Sequence, residues 1–366
     1  MIKKIWVKGF RNLCEQVVEL HPTVTIIVGE NNQGKTNFLE ALSVAMSGKS
    51  PARAHQDMVI GIMLAKAQLG LSLVDCGCEK KLYLDLLRDE GKRIQWNGDF
   101  VKTYRTVVDT LAVQYWSADV LWLFQESPSF RREFLDDFCG RYFDGFLAVE
   151  KRYQAILKQK NKVLELGNVD EKMLSLLNDQ LADFGVKIIE CRLAAIHRMM
   201  DIVTPYLATY FPNGGADINV QYSGDYAGTY RQLLSEKQSK EIMVKQSLYG
   251  PHRDDFSVKV GDMPMVGFYS RGMTRIFALL LSFAQLLLLS SQKKRVSLLL
   301  LDDAFAELDI TKKQSLMSDF SQQVQVVYTT VLDEDRYLFD DSYVFEMKSG
   351  KLSLLPSLTS LSISEL

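Results

Sequence analysis

Gly29-Glu30-Asn31-Asn32-Gln33-Gly34-Lys35-Thr36 lies between an apolar run, Val24-Thr25-Ile26-Ile27-Val28, and a helical pattern, Asn37-Phe38-Leu39-Glu40-Ala41-Leu42-Ser43-Val44-Ala45-Met46. This is the G-x4-G-K-[ST] spacing in the strand–loop–helix setting it requires. The glycines let the loop fold back, so that backbone N–H groups converge on phosphate oxygens at the positive end of the helix dipole. Lys35 is placed to reach β- and γ-phosphates, and the Thr36 hydroxyl to ligate Mg2+. Gly29, Glu30, Asn31, Asn32, Gln33, Gly34, Lys35, Thr36 and Asn37 are therefore the candidate nucleotide-binding residues. At average glycine usage, a chance match in a chain of this length is about a one-in-a-hundred event.

Such a loop needs a second carboxylate for the metal, usually at the end of a buried strand. Val296-Ser297-Leu298-Leu299-Leu300-Leu301 is apolar on both faces, which suits a buried parallel strand, and it ends in Asp302-Asp303. Asp302 is the candidate metal ligand beside Thr36. Asp303 has the spacing to orient the attacking water. The alternative is a pair of acids that merely ends a strand. Lys35, Asp302 and Asp303 form the candidate catalytic set.

The chain has 366 residues, enough for more than one domain. Its 43 Lys+Arg and 45 Asp+Glu leave a net charge of −2, so any nucleic-acid surface must be a local patch. Five scattered cysteines read as reduced thiols in a cytosol, and the Cys76/Cys78 pair lacks the second pair a zinc site needs. The alternation of Met1 to Lys8 predicts a first strand rather than a signal peptide. The apolar segment Ile276–Leu289 reads as a buried helix, too short to cross a bilayer and interrupted by Ser282 and Gln285.

Strand signals recur at Ile5–Val7, Val17–Leu20, Val24–Val28, Leu71–Val74, Leu82–Leu87 and Leu111–Trp116, with turns at Gly91 and Asn97-Gly98. The pattern changes near Ser127-Pro128. Phe146, Val149, Tyr153, Ile156 and Val163 share a helical stripe, with Lys151, Lys158, Lys160 and Lys162 mostly off it. Gly167-Asn168 breaks that helix and Asp170 can cap the next, whose apolar series runs from Met173 toward Tyr206. Strands return at Ile218–Tyr222, Phe256–Val260, Val324–Tyr328 and Tyr343–Met347, before a Ser/Leu-rich tail. The expectation is one α/β head (1–126 and 246–366) interrupted by a short helical arm (127–245).

The motif order resembles the head of an ATP-binding-cassette ATPase: phosphate loop, inserted helices, a Ser-x-Gly turn opening a helix at Ser270-Arg271-Gly272, the Asp302-Asp303 strand, then Ala306-Glu307-Leu308-Asp309. More narrowly, nearly the whole chain resembles the RecF family. The resemblance rests on Phe10-Arg11-Asn12, on Ser127-Pro128 through Arg131-Arg132 to Asp136, and on Leu157-Lys158-Gln159-Lys160-Asn161. It rests above all on Gly250-Pro251-His252-Arg253 and on Leu301-Asp302-Asp303 through Asp309. It implies a mixed-sheet head using ATP and Mg2+, an ATP-dependent homodimer, and slow hydrolysis stimulated by DNA. In that dimer Ser270, Arg271 and Gly272 bind the γ-phosphate in trans and Asp309 marks the D-loop. The resemblance also implies duplex DNA and single-strand/double-strand junctions as ligands, with His252 and Arg253 as DNA or nucleotide contacts. It further implies RecR and RecO as partners, loading of the RecA recombinase, a cytoplasmic location and no membrane.

The chain departs from the family pattern at Met273, where a glutamine is usual, and has Thr329 and Thr330 where many cassettes place a histidine. Gln56 is a candidate Q-loop residue, with an ordinary solvated loop residue as the alternative. The basic groups Lys3/Lys4/Lys8/Arg11, those of the arm and Lys293-Lys294-Arg295 are candidate phosphate contacts or ordinary solvated surface. A transport cassette and a related ATPase of a defence system are the competing readings.

Overall fold

The computed structural model describes residues 1–52, 54–117, 122–125, 127–166, 170–212, 214–224, 226–293 and 295–356. The expected break at Gly167-Asn168, Glu126 at the expected boundary, Lys294, and the tail from 357 onward lie outside them. The chain forms two compact units, Met1–Val120 with Gln285–Leu366, and Leu121–Ala284.

In the first unit, β1 (Ile2–Lys8), β2 (Gln16–Glu19), β4 (Lys66–Asp75), β5 (Cys78–Leu87), β6 (Gly91–Trp96) and β7 (Asp99–Val101) form an antiparallel sheet in the order β2-β1-β4-β5-β6-β7. The second sheet holds β3 (Val24–Val28), β8 (Leu111–Ser117), β12 (Val296–Asp302), β13 (Gln325–Thr330), β14 (Ser342–Lys348) and β15 (Lys351–Leu354) in the order β15-β14-β3-β13-β12-β8. All its pairings are parallel except β14 with β15. Every residue of β3 is buried, as expected of a central parallel strand.

Helix α1 (Lys35–Ser47) buries nearly its whole length, and its Phe38, Leu39 and Leu42 join one core with Ile5, Leu71, Leu84, Leu298 and Val327 from the two sheets. The buried Gln325 amide stitches β13 to the first strands: Oε1 accepts from Ile2 N–H (2.8 Å), and Nε2 donates to Ile2 O (2.8 Å) and His21 O (2.7 Å). Two short helices, α2 (Gln56–Val59) and α3 (Arg105–Thr110), link the strands, and α11 (Ile310–Ser321) connects β12 to β13.

The second unit opens with α4 (Trp122–Gln125), α5 (Pro128–Tyr142), α6 (Phe146–Glu165) and α7 (Glu171–Tyr210). Ser127 is the N-cap of α5, with Pro128 inside the first turn. Asp170 caps α7 by accepting from Lys172 N–H (2.9 Å) and Met173 N–H (3.4 Å). At 40 residues, α7 is about 60 Å long. Then come β9 (Ile218–Tyr222), α8 (Tyr230–Val244), β10 (Phe256–Val260), β11 (Met263–Pro264), the single turn α9 (Met265–Phe268) and α10 (Arg271–Lys293), whose residues from Gln285 onward belong to the first unit.

The expected boundary at 245/246 falls inside this unit because β9 pairs antiparallel with β10 across it. The segment carrying Gly250–Arg253 and Ser270–Gly272 therefore belongs with the helices. Longer than the expected Ile276–Leu289, α10 is long and apolar enough to cross a membrane, but most of it is buried in protein, as in a core helix.

Lys160 is the clearest error of the stripe reading. It is fully buried and pairs with the equally buried Glu241 of α8 at 2.6 Å. Four residues after Ile156, it lies on the buried stripe, and only a carboxylate from another helix makes a charge tolerable there.

Candidate nucleotide site

Strand β3 delivers the chain into the loop at Gly29, whose N–H donates to Thr330 O (3.3 Å). A Cβ at Gly29 would sit 2.7 Å from Met347 O, so glycine is required there. Gly34 ends the loop at φ 115° as the N-cap of α1. Gln33 is held from both ends by the turn between β14 and β15, its O accepting from Gly350 N–H (2.8 Å) and its Oε1 from Ser349 N–H (2.7 Å). Arg11 makes a two-pronged ion pair with the buried Glu40 of α1 (2.8 and 3.0 Å), and Asn12 Oδ1 accepts from Asn37 Nδ2 (2.8 Å). The Phe10-Arg11-Asn12 motif thus secures the helix that carries the loop.

Asn31, Asn32, Gly34, Lys35, Thr36, Asn37 and Asp303 line a cavity of about 210 Å³. Lys35 Nζ donates to Gly29 O (2.7 Å) and Glu30 O (2.9 Å). Burial pushes its ammonium below the usual lysine range, against the pull of Asp303 and Asp302. Asp302 ends β12 as expected and is buried. Its Oδ2 accepts from Tyr115 OH (2.8 Å) and its Oδ1 from Thr329 Oγ1 (2.7 Å). Each oxygen keeps a lone pair, so the carboxylate is oriented yet able to ligate a cation.

Asp303 adopts φ 49°, a left-handed conformation uncommon outside glycine. Its N–H donates to Thr329 O (3.1 Å). Burial raises its carboxyl above the usual range, and the nearby Asp302 adds to this. Lys35 and the Val331 backbone work in the opposite direction.

Ser270, Arg271 and Gly272 lie in the second unit and the loop in the first. Ser270 Oγ accepts from Met273 N–H (3.3 Å) and Ser270 O from Thr274 N–H (3.0 Å), which opens α10 with Ser270 and Arg271 exposed. Asp309 caps α11, its Oδ1 accepting from Lys312 N–H (2.9 Å) while Lys312 Nζ pairs with Oδ2 (2.8 Å).

The family described as the RecF/RecN/SMC N terminal domain matches residues 1–348. The chain is 30% identical over 364 residues to the DNA replication and repair protein RecF of Streptococcus agalactiae, covering 96% of this chain and 98% of that one. It is 27% identical over 362 residues to the protein of the same name from Clostridium perfringens, covering 96% and 99%.

The chain belongs to the RecF family.

A solved structure described as the recombination mediator protein RecF with ATP in the RecFOR pathway shares the fold, with a TM-score of 0.80 at 22% identity over 97% of each chain.

The segment Gly250–Asp255, which most sharply marks the RecF resemblance, is mostly turned inward. Gly250 has φ 132°, and a Cβ there would fall 2.1 Å from Tyr230 OH. Pro251 O accepts from the buried Arg192 (2.7 Å), whose guanidinium also pairs with Asp136. Asp255 takes Arg131 on both oxygens (2.6 and 2.8 Å), and Asp254 O accepts from Arg132 (2.8 Å). His252 Nε2 faces Ser247 O (3.4 Å) and must donate to it, so Nδ1 accepts from Tyr153 OH (2.7 Å). Of the two expected contact residues, only Arg253 is exposed.

Burial, opposed by the Ser247 carbonyl but reinforced by Arg253, Lys160 and Arg132, pushes the His252 imidazole from 6.5 down to about 4. The unfolded chain therefore binds the extra proton first, and stability present above pH 6.5 is lost as pH falls through about 4. The expected loss is about 3 kcal/mol. Denaturant melts at neutral pH and near pH 4 check this against His252→Gln, which should lack that increment; identical pH dependence would show that His252 is not held neutral.

Gln56 is neither a solvated loop residue nor free to reach a ligand: its Nε2 donates to Leu87 O (2.8 Å) and Gly91 O (2.7 Å). The N-terminal basic group is also spoken for, with Lys3 on Glu79, Lys4 on Glu19, Lys8 on Glu15 and Arg11 on Glu40. Arg295 is buried with Nη1 on Leu289 O (3.2 Å). Lys151, Arg152, Lys158 and Lys162 of α6 stay exposed. Sequence reasoning missed Tyr115 and gave Thr329 no role; neither sits in a motif, and only strand pairing brings them to Asp302.

Proposed function

We propose that this RecF-family chain is an ATP-hydrolysing DNA clamp of recombinational repair and replication restart. Two copies join across ATP, each nucleotide gripped by Gly29 to Asn37 of one copy and by Ser270, Arg271 and Gly272 of the other. The observation that carries the reading is Lys35, Thr36 and Asp303 around one cavity with Asp302 oriented beside them, while an exposed serine turn heads a helix in the other unit. Thr36 and Asp302 are the residues that would hold Mg2+, whose charge would offset that of the triphosphate. Asp303, with its raised carboxyl, orients the attacking water, and hydrolysis ends the clamped state.

Duplex and gapped DNA are held mainly through phosphates, by Arg253 and by the exposed cations of α6. Lys151, Lys158 and Lys162 follow one another by seven and four residues, so they lie roughly along one side of that helix. RecR and RecO as partners, loading of RecA and work in the cytoplasm belong to the same reading. The ATPase rate should rise several-fold with duplex or gapped DNA at low salt, and the stimulation should fade as salt rises. A rate indifferent to every DNA at both salt concentrations would sink the clamp.

A further inference from the structure

Asp335 is fully buried and takes three donors. Its Oδ1 accepts from Lys313 Nζ of α11 (2.9 Å), and its Oδ2 from Tyr328 OH (2.7 Å) and Thr330 Oγ1 (2.8 Å). Lys313 is nearly as buried. None of these four residues lines the cavity. Removing two charges from water costs more than a well-packed apolar pair would, so stability alone is a weak account of this cluster.

Its geometry offers another. Thr330 Oγ1, while donating to Asp335, accepts from Leu332 N–H (3.0 Å), which fixes a tight turn at the end of β13. The Val331 backbone, at the centre of that turn, lies beside the Asp303 carboxylate and favours its ionised form. The residue before the turn, Thr329, accepts from Asp303 N–H and donates to Asp302. The strained Asp303 is thus held at its backbone by Thr329 and flanked at its side chain by Val331. On the far side, Lys313 N–H donates to Asp309 O (3.0 Å), so the same ion pair reaches the first turn of α11.

We propose that Asp335 is the positioning residue for Asp303. Together with Lys313 it locks the Thr330–Leu332 turn that aims the Asp303 carboxylate, and it ties that turn to the helix headed by Asp309. The proposal rests on the reading of Asp303 as the group that orients the attacking water. It assigns to Thr330, where many cassettes have a histidine, a role behind the carboxylate rather than on the nucleotide.

The test compares Thr330→Val, Thr330→Ser, Tyr328→Phe and the charge-neutral pair Asp335→Asn/Lys313→Met. Each is measured for kcat, for Kd of a fluorescent ATP analogue and for thermal melting. Thr330→Val and the neutral pair should lose at least about ten-fold in kcat with Kd unchanged within about two-fold, since the lost contact acts on the carboxylate and not on binding. Thr330→Ser keeps the hydroxyl and should stay near wild type. Tyr328→Phe removes a donor from the same carboxylate while leaving the Thr330–Leu332 hydrogen bond in place and should also stay near wild type.

A kcat for Thr330→Val near that of the wild type, an equal loss in Tyr328→Phe, or a parallel loss of ATP binding would each overturn the proposal. If the neutral pair does not fold, the three single variants decide. Asp303→Asn separates the two layers. Its full activity would overturn the role of Asp303 itself, whereas its inactivity beside an active Thr330→Val would overturn only the role of Asp335.

Discussion

Lys35→Ala is expected to abolish ATP-driven pairing of two copies. Lys35 is buried at the head of α1, and its ammonium already sits among loop carbonyls where a triphosphate would approach. Charge-assisted hydrogen bonds of this kind contribute about 1.5–3 kcal/mol each. Losing two such bonds to the phosphates weakens ATP binding by roughly a hundred-fold or more, since 1.4 kcal/mol is a factor of ten. Pairing through two nucleotides magnifies that loss. Sedimentation velocity with ATP should show a dimer for the wild type and a monomer for Lys35→Ala. Equal ATP-induced dimerisation of both would refute the shared nucleotide. The fold should be little affected, because the freed carbonyls of Gly29 and Glu30 lie at the loop surface, and melting curves provide the control.

Asp303→Asn should separate assembly from turnover. Asparagine keeps the shape, but it cannot take a proton from water. Loss of a positioned base costs about 10²- to 10⁴-fold in rate. ATP should still join the copies, so the dimer should outlive that of the wild type. The wild-type rate should also fall with acid at a pH above the ordinary carboxylate range, because the Asp303 carboxyl is raised and only its ionised form is active. A variant that hydrolyses ATP at the wild-type rate would remove Asp303 from the chemistry. A variant that no longer dimerises would place it in nucleotide binding instead.

The phosphate loop and the Asp302 strand were legible because each is built from consecutive residues. Backbone N–H groups converge where the glycines allow it, and an all-apolar run ending in acids has few places to go but a buried strand. The family, too, could be read from short contiguous motifs. Charge was harder to read. Lys3, Lys4 and Lys8 could be read as phosphate contacts or as solvated surface, and strand pairing sets Glu79, Glu19 and Glu15 beside them. Lys160 looked solvated until Glu241 arrived from another helix. The Gly250–Arg253 segment looked like a contact loop, but Arg192, Tyr153 and Tyr230 enclose most of it.

The sequence by itself determined the α/β head, the glycine loop between strand and helix, the acidic strand end and the family. All of these depend on local backbone geometry and on periodicity. The tertiary structure alone decided which cations are free, that His252 is neutral, that the serine turn belongs with the helical unit, and that Tyr115 and Thr329 orient Asp302. Tyr115 and Asp302 are 187 residues apart. The strength of an electrostatic or hydrogen-bonding group is set by its distance to partners and by its exclusion from water, and neither is encoded in neighbouring letters.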